Sequence, residues 1–101
     1  MATPPVSKRL REARTVAGLS QKLLGIAAGI DEFSASARMN QYETGKHTPD
    51  YSTLNSIAKV LKLPVAYFYA ETDELAELIK LFYPLKKPDK TALLAAIYKL
   101  S

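Results

Sequence analysis

A chain of 101 residues has room for one domain with a terminal appendage. Hydrophobic residues make up 48% and charged residues 24%, the balance of an ordinary globular protein. There is no cysteine, which excludes disulfides, thiolate nucleophiles and thiolate metal sites and is compatible with a reducing compartment.

No apolar run approaches the ~18 residues needed to cross a bilayer. The N-terminus, MATPPVSK, lacks the apolar stretch of a secretion signal. The expectation is a cytoplasmic protein with no membrane partner. The formal charge of +4 is unevenly placed. Residues 1 to 62 hold nine basic and five acidic side chains, whereas residues 63 to 101 hold five of each. A basic segment beside a neutral one points to a polyanionic partner for the first. The alternative is a solubilising surface.

In chain order, Thr3-Pro4-Pro5 cannot extend a helix and predicts a loose arm. Ser7 or a neighbour can cap a helix running to about Ala17. Val6, Leu10, Ala13 and Ala17 form its apolar stripe, and Gly18 follows as a left-handed C-terminal cap. Ser20 is a strong N-cap for a second helix, with Leu23, Leu24, Ala27 and Ala28 as its inner face. Gly25 costs an isolated helix ~1 kcal/mol, and makes sense where another helix approaches closely. Gly29 ends this helix and Ile30 plugs the core beneath the turn.

Asp31, Ser34 and Ser36 are all acceptable caps for the third helix. Met39 and Tyr42 face inward at i, i+3. Ser36, Ala37, Asn40, Gln41 and Thr44 then face outward, with Arg38 at a flank. A helix with a narrow apolar stripe and a face of Ser, Asn and Gln lacks the long charged side chains of most surface helices. Asn and Gln can donate and accept together against adenine in the major groove. The plainer reading is a polar surface helix.

Gly45 caps this helix, and Lys46-His47-Thr48-Pro49 forms a basic loop. Asp50 caps a fourth helix with Leu54, Ile57, Ala58 and Leu61 on its inner stripe. Pro64 opens a short fifth helix, Val65 to Tyr69, with Phe68 as its plug.

This order of elements resembles the Cro and lambda-repressor-like helix-turn-helix family, also called the xenobiotic-response-element family. The matching residues are Leu10, Arg14, Gly18-Leu19-Ser20-Gln21, Leu24, Gly29-Ile30, Met39, Tyr42-Glu43, Gly45, Pro49, Leu54, Ala58, Leu61 and Phe68. They cover about residues 6 to 69. The resemblance implies an all-α fold: a five-helix DNA-binding domain over residues 1 to 70, with helices two and three as the DNA-reading pair. One departure stands out. Four more residues than the family pattern holds lie between Ile30 and Ser36, about one helical turn. Either the turn is longer or the third helix starts a turn early.

By position in the family, Ser36, Ala37, Arg38, Asn40 and Gln41 are the implied base contacts, with Gln41 foremost. Gln21 is implied to bind a phosphate and brace the reading helix. Lys22, Thr44, Lys46 and His47 complete the phosphate set. Arg14 and Glu43 match a structural salt bridge joining the first helix to the end of the third. The implied partner is double-stranded DNA, bound as a palindromic operator by a homodimer, because one such helix reads only a few base pairs. The implied function is a sequence-specific transcriptional regulator, a repressor. The other class is a helical protein-interaction module that does not read DNA.

Residues 71 to 101 read as two further helices. Asp73 can cap the first, with Leu75, Leu78, Ile79 and Phe82 on its stripe, and Tyr83-Pro84 ends it. Pro88 suits the first turn of the second. Its Leu93, Leu94, Ile97, Tyr98 and Leu100 exceed one narrow stripe, so this extension packs back on the domain or makes a homodimer contact. An enzyme is not expected. His47 is the only histidine and lies in a turn. Asp73, Glu74 and Glu77 sit at a helix start, where acids favour the helix dipole. No phosphate-cradling glycine motif, cofactor site, metal site or small-molecule ligand site is evident.

Overall fold

The computed structural model describes residues 5–101. The predicted arm at Thr3-Pro4 lies outside the described residues. The described chain is all helical: α1 (Val6–Ala17), α2 (Gln21–Ala27), α3 (Ala35–Thr44), α4 (Tyr51–Leu61), a 3-10 helix (Val65–Tyr69), α5 (Asp73–Phe82) and α6 (Lys87–Leu100). The fifth element of the expected five-helix domain is thus a 3-10 helix.

Helix boundaries follow local chemistry. Gly18 and Gly45 end α1 and α3 in the left-handed region, at φ 73° and 80°. Ser20 Oγ accepts the Leu23 amide, and an Asp50 carboxylate oxygen accepts the Thr53 amide. That bond is the main reason the Asp50 carboxyl sits below its ordinary range. Two expected caps are displaced. α1 starts at Val6 behind Pro5, whose ring presets a helical φ, so Ser7 lies inside the helix. α5 is capped by Thr72, whose hydroxyl accepts the Leu75 amide at 3.1 Å, and Asp73 is its first helical residue. Pro64 precedes the 3-10 helix in extended geometry instead of entering it.

The core closes around Phe68, Leu10, Leu24, Met39, Leu54 and Ile57, all fully buried. α2 packs chiefly on α3, α1 on α3 and the 3-10 helix, and α5 on the 3-10 helix. Several expected core positions are exposed. Leu23 and Ala27 face solvent because α2 has only seven residues and packs through one stripe, at Leu24 and Gly25. Ala17 is exposed at the end of α1, and the stripe instead includes Arg9. On α5 the buried residue is Ala76, while Leu75 and Leu78 are exposed. A small side chain there lets α5 lie close against the 3-10 helix.

Gly25 is a point of closest approach. A Cβ built on it would lie 2.9 Å from Ala35 Cβ and 3.2 Å from the Ala35 backbone. Gly25→Ala gains ~1 kcal/mol of helix propensity, but overpacking against backbone costs ~1–3 kcal/mol. The expected result is a lower thermal midpoint despite the better helix former. A melt equal to or above wild type would show that α2 and α3 separate freely.

Arg9 carries a second unforeseen arrangement. Its side chain is 4% exposed, donates from Nε to the Ala70 carbonyl at 3.1 Å and from Nη1 to Asp73 Oδ1 at 2.8 Å. Lys8 Nζ donates to the same Asp73 oxygen at 3.2 Å. The Arg9 bond, with Lys8 beside it, holds the Asp73 carboxyl below its ordinary range. The depressed value means that this contribution is present above the unfolded pKa and is lost as pH falls through the folded one.

The radius of gyration is 15.1 Å. A compact domain of this length has about 13 Å. The excess reflects α6, which has no buried residue. α5 and α6 form the walls of an apolar cleft of about 410 Å³, lined by residues such as Leu78, Phe82, Leu94 and Ile97. Lys90 Nζ lies 5.3 Å from the centroid of the Phe82 ring.

Candidate nucleic-acid interface

The four additional residues lie in the turn between α2 and α3, and α3 does not begin early. Ile30 and Ala35 are both buried, and Asp31 to Ser34 rise between them. Asp31 organises the turn: its carboxylate accepts the Phe33 amide and its carbonyl the Ser34 amide, both at 3.0 Å. Gly29, at φ 93°, reverses the chain just before it. Phe33 is left almost fully exposed at the tip.

α3 buries Ala35, Met39, Tyr42 and Glu43 along one side. At 100° per residue, Ala37, Asn40, Gln41 and Thr44 lie opposite that stripe, and Ser36 and Arg38 lie on its flanks. Ser36, Ala37, Arg38, Asn40 and Thr44 are exposed, and Gln41 is half-buried. Arg38 runs along the helix: its Nη2 donates to the Tyr42 hydroxyl at 2.7 Å, and its guanidinium lies 5.8 Å from that ring's centroid. Part of its donor fork is therefore engaged.

Two braces hold α3. Arg14 meets Glu43 in a bidentate pair, Nε to Oε2 at 2.6 Å and Nη2 to Oε1 at 3.0 Å. The Arg14 and Glu43 side chains are 17% and 3% exposed. The third arm of the fork, Nη1, donates to the Leu19 carbonyl at 2.9 Å and so also fixes the chain entering α2. The hydrogen bond to Glu43 outweighs burial and raises the Arg14 pKa above its ordinary value. The second brace is Gln21, at the start of α2. Its amide donates to Asn40 Oδ1 and to Glu43 Oε1, each at 3.3 Å. Asn40 is thereby oriented while its own amide nitrogen stays available.

Lys22, Lys46 and His47 are all exposed, on the first turn of α2 and in the loop after α3. The His47 amide donates to the Gln41 carbonyl at 3.2 Å, which folds that loop back on α3. Of the N-terminal basic residues, Arg9 and Arg14 are committed to internal pairs, Lys8 bonds to Asp73, and Arg11 is exposed. Sequence reading missed the Arg9 arrangement. Its partners lie 61 and 64 residues away, so no local pattern announces it.

A short helix α2 followed by a turn and a braced α3, with small and amide side chains outward and cations at its rim, has the form of a helix-turn-helix. Comparison with known proteins agrees. The crystal structure of the transcriptional regulator BswR is 49% identical, with a TM-score of 0.85, covering 92% of this chain and 92% of that one. An HTH-type transcriptional regulator of Sinorhizobium medicae (strain WSM419) is 33% identical over 66 residues, covering 65% of this chain and 45% of its own. A transcriptional regulator from the ATPase CF(0) region of Rhodospirillum rubrum is 31% identical over 68 residues, covering 67% and 59%. The chain thus spans about half the length of the curated relatives it matches. No family model matches it. The chain belongs to the helix-turn-helix family of transcriptional regulators. No helix among the described residues is long and apolar enough to cross a membrane.

Proposed function

We propose that this chain is a sequence-specific double-stranded-DNA-binding transcriptional regulator that acts as a repressor, placing α3 in the major groove of a palindromic operator. The observation that carries the reading is the braced α3, with Gln41, Asn40, Ala37 and Thr44 on the face opposite its buried stripe. Gln41 is the leading base contact, because a free amide pairs bidentately with adenine. Asn40 is next, already aimed by Gln21. Ser36 and Ala37 stand at the helix start, where base edges come within reach of short side chains. Arg38, tethered to Tyr42, is left to a phosphate or a guanine at the flank. Gln21, Lys22, Thr44, Lys46 and His47 form the phosphate-contacting rim. Repression needs only occupancy of the DNA, and this role places the protein in the cytoplasm.

We further assign residues 71 to 101 to homodimerisation. α6 has 14 residues and buries none of them, and a lone helix of that length is marginal in water. A second copy seated in the α5–α6 cleft covers the exposed Leu94, Ile97 and Tyr98. It also supplies the two reading heads that a palindrome requires, ~34–36 Å apart.

Salt titrations of binding to a selected duplex and to random DNA test the reading. Lys46→Ala is expected to weaken all sequences alike and to lower the salt slope by about one. Gln41→Ala is expected to leave the slope unchanged and relax preference at one base pair, by ~1–3 kcal/mol. Failure of the wild type to bind any duplex at low salt would instead favour a protein-interaction module.

A further inference from the structure

We propose that Arg9 is a positioning residue that fixes the separation of the two reading heads, and with it the half-site spacing the protein accepts. The proposal rests on the dimer reading above. The 3-10 helix and α5 are joined through Ala70 to Thr72, and both of those residues are extended. The buried Ala76 seats α5 on the 3-10 helix, and a contact spanning the joint fixes the angle at which it leaves. Arg9 spans it, holding the Ala70 carbonyl on one side and the Asp73 carboxylate on the other.

The same helix carries the brace on the reading head. Arg14 lies five residues beyond Arg9, about 7.5 Å along the axis of α1. α1 is therefore a crossbar with α3 clamped through Glu43 at one end and the dimerising arm clamped through Arg9 at the other. Geometry makes this clamp consequential. A swing of about 10° at the joint, carried over the ~15 Å length of the 10-residue α5 alone, displaces its far end by about 2.6 Å, most of one base-pair step. A guanidinium suits the task because its planar fork reaches a carbonyl and a carboxylate together, which a single ammonium on a flexible stem does not hold as rigidly.

The test uses the full chain and an operator obtained by selection from random duplexes. Binding is measured to that operator, to versions with one or two base pairs added or removed between half-sites, and to an isolated half-site. The variants are Arg9→Lys, which keeps the charge and loses the fork, and Asp73→Ala, which removes the acceptor of the Arg9 bond and leaves the Thr72 cap in place. For the wild type, altered spacing is expected to forfeit much of the gain from bivalency, about 10²-fold. In both variants the dimer mass and the half-site affinity stay at wild-type values, while the spacing penalty shrinks to about threefold to tenfold on the same scale. Spacing profiles as sharp as wild type in both variants overturn the proposal while leaving the dimer reading intact. A wild-type protein that is monomeric by sedimentation overturns both, and a dimeric wild type indifferent to spacing overturns the proposal alone. Should Arg9→Lys fail to fold by circular dichroism, Asp73→Ala decides.

Discussion

Glu43→Ala is expected to lower stability by ~3–5 kcal/mol and to abolish DNA binding as a consequence. Removal of Glu43 leaves the largely buried Arg14 guanidinium facing an empty site, and removes an acceptor of the Gln21 amide. The loss is set by the uncompensated charge, not by the attraction of the pair in isolation. In a domain of this size each kcal/mol moves the midpoint by ~4–8 °C, so the thermal midpoint should fall by at least about 12 °C. Replacing both partners, as Arg14→Met with Glu43→Leu, should recover much of that stability because no charge is stranded. A Glu43→Ala protein that melts with the wild type would show that the brace contributes nothing to the fold.

The second large effect concerns assembly. Introducing carboxylates into the α5–α6 cleft, as Leu94→Asp with Ile97→Asp, should convert the proposed dimer to a monomer. The core is expected to survive, since neither side chain is buried and α6 buries nothing. Operator affinity should fall by ~10²–10⁴, the usual worth of linking two binding events. Affinity for an isolated half-site should not change. Sedimentation equilibrium gives the mass, circular dichroism the fold, and a titration on both duplexes the affinity. A double variant that remains dimeric would place the interface elsewhere, and a matched loss on the half-site would point to damage at the reading head.

The parts of the molecule written in local sequence were legible before the structure. Gly18 and Gly45 announce their helix ends, Ser20 and Asp50 their caps, and Met39 with Tyr42 the inward side of α3. The unusual spacing from Ile30 to Ser36 located the irregularity, although it left open whether helix or turn absorbed it. The Asp31 hydrogen bonds decide that in favour of the turn. What was illegible depends on distant partners. Arg9 looks in the sequence like one more surface cation, and only the return of Ala70 and Asp73 to α1 explains its burial. Hydrophobicity also misled on α5. Leu75 and Leu78 outrank Ala76 on any scale, yet close helix approach selects the smaller side chain. Similarly, Leu23 and Ala27 lie on a helix too short to bury two stripes.

The knuckle from Asp31 to Ser34 has a bearing on how such proteins diversify. It is anchored by a buried residue at each end and closed by its own hydrogen bonds, so its interior touches little of the framework. Lengthening a connection costs only a slowly growing entropy of loop closure. Change at the exposed Glu32 and Phe33 is therefore expected to cost little stability, immediately beside the start of α3. The helical framework can stay constant while the chain beside α3 changes shape.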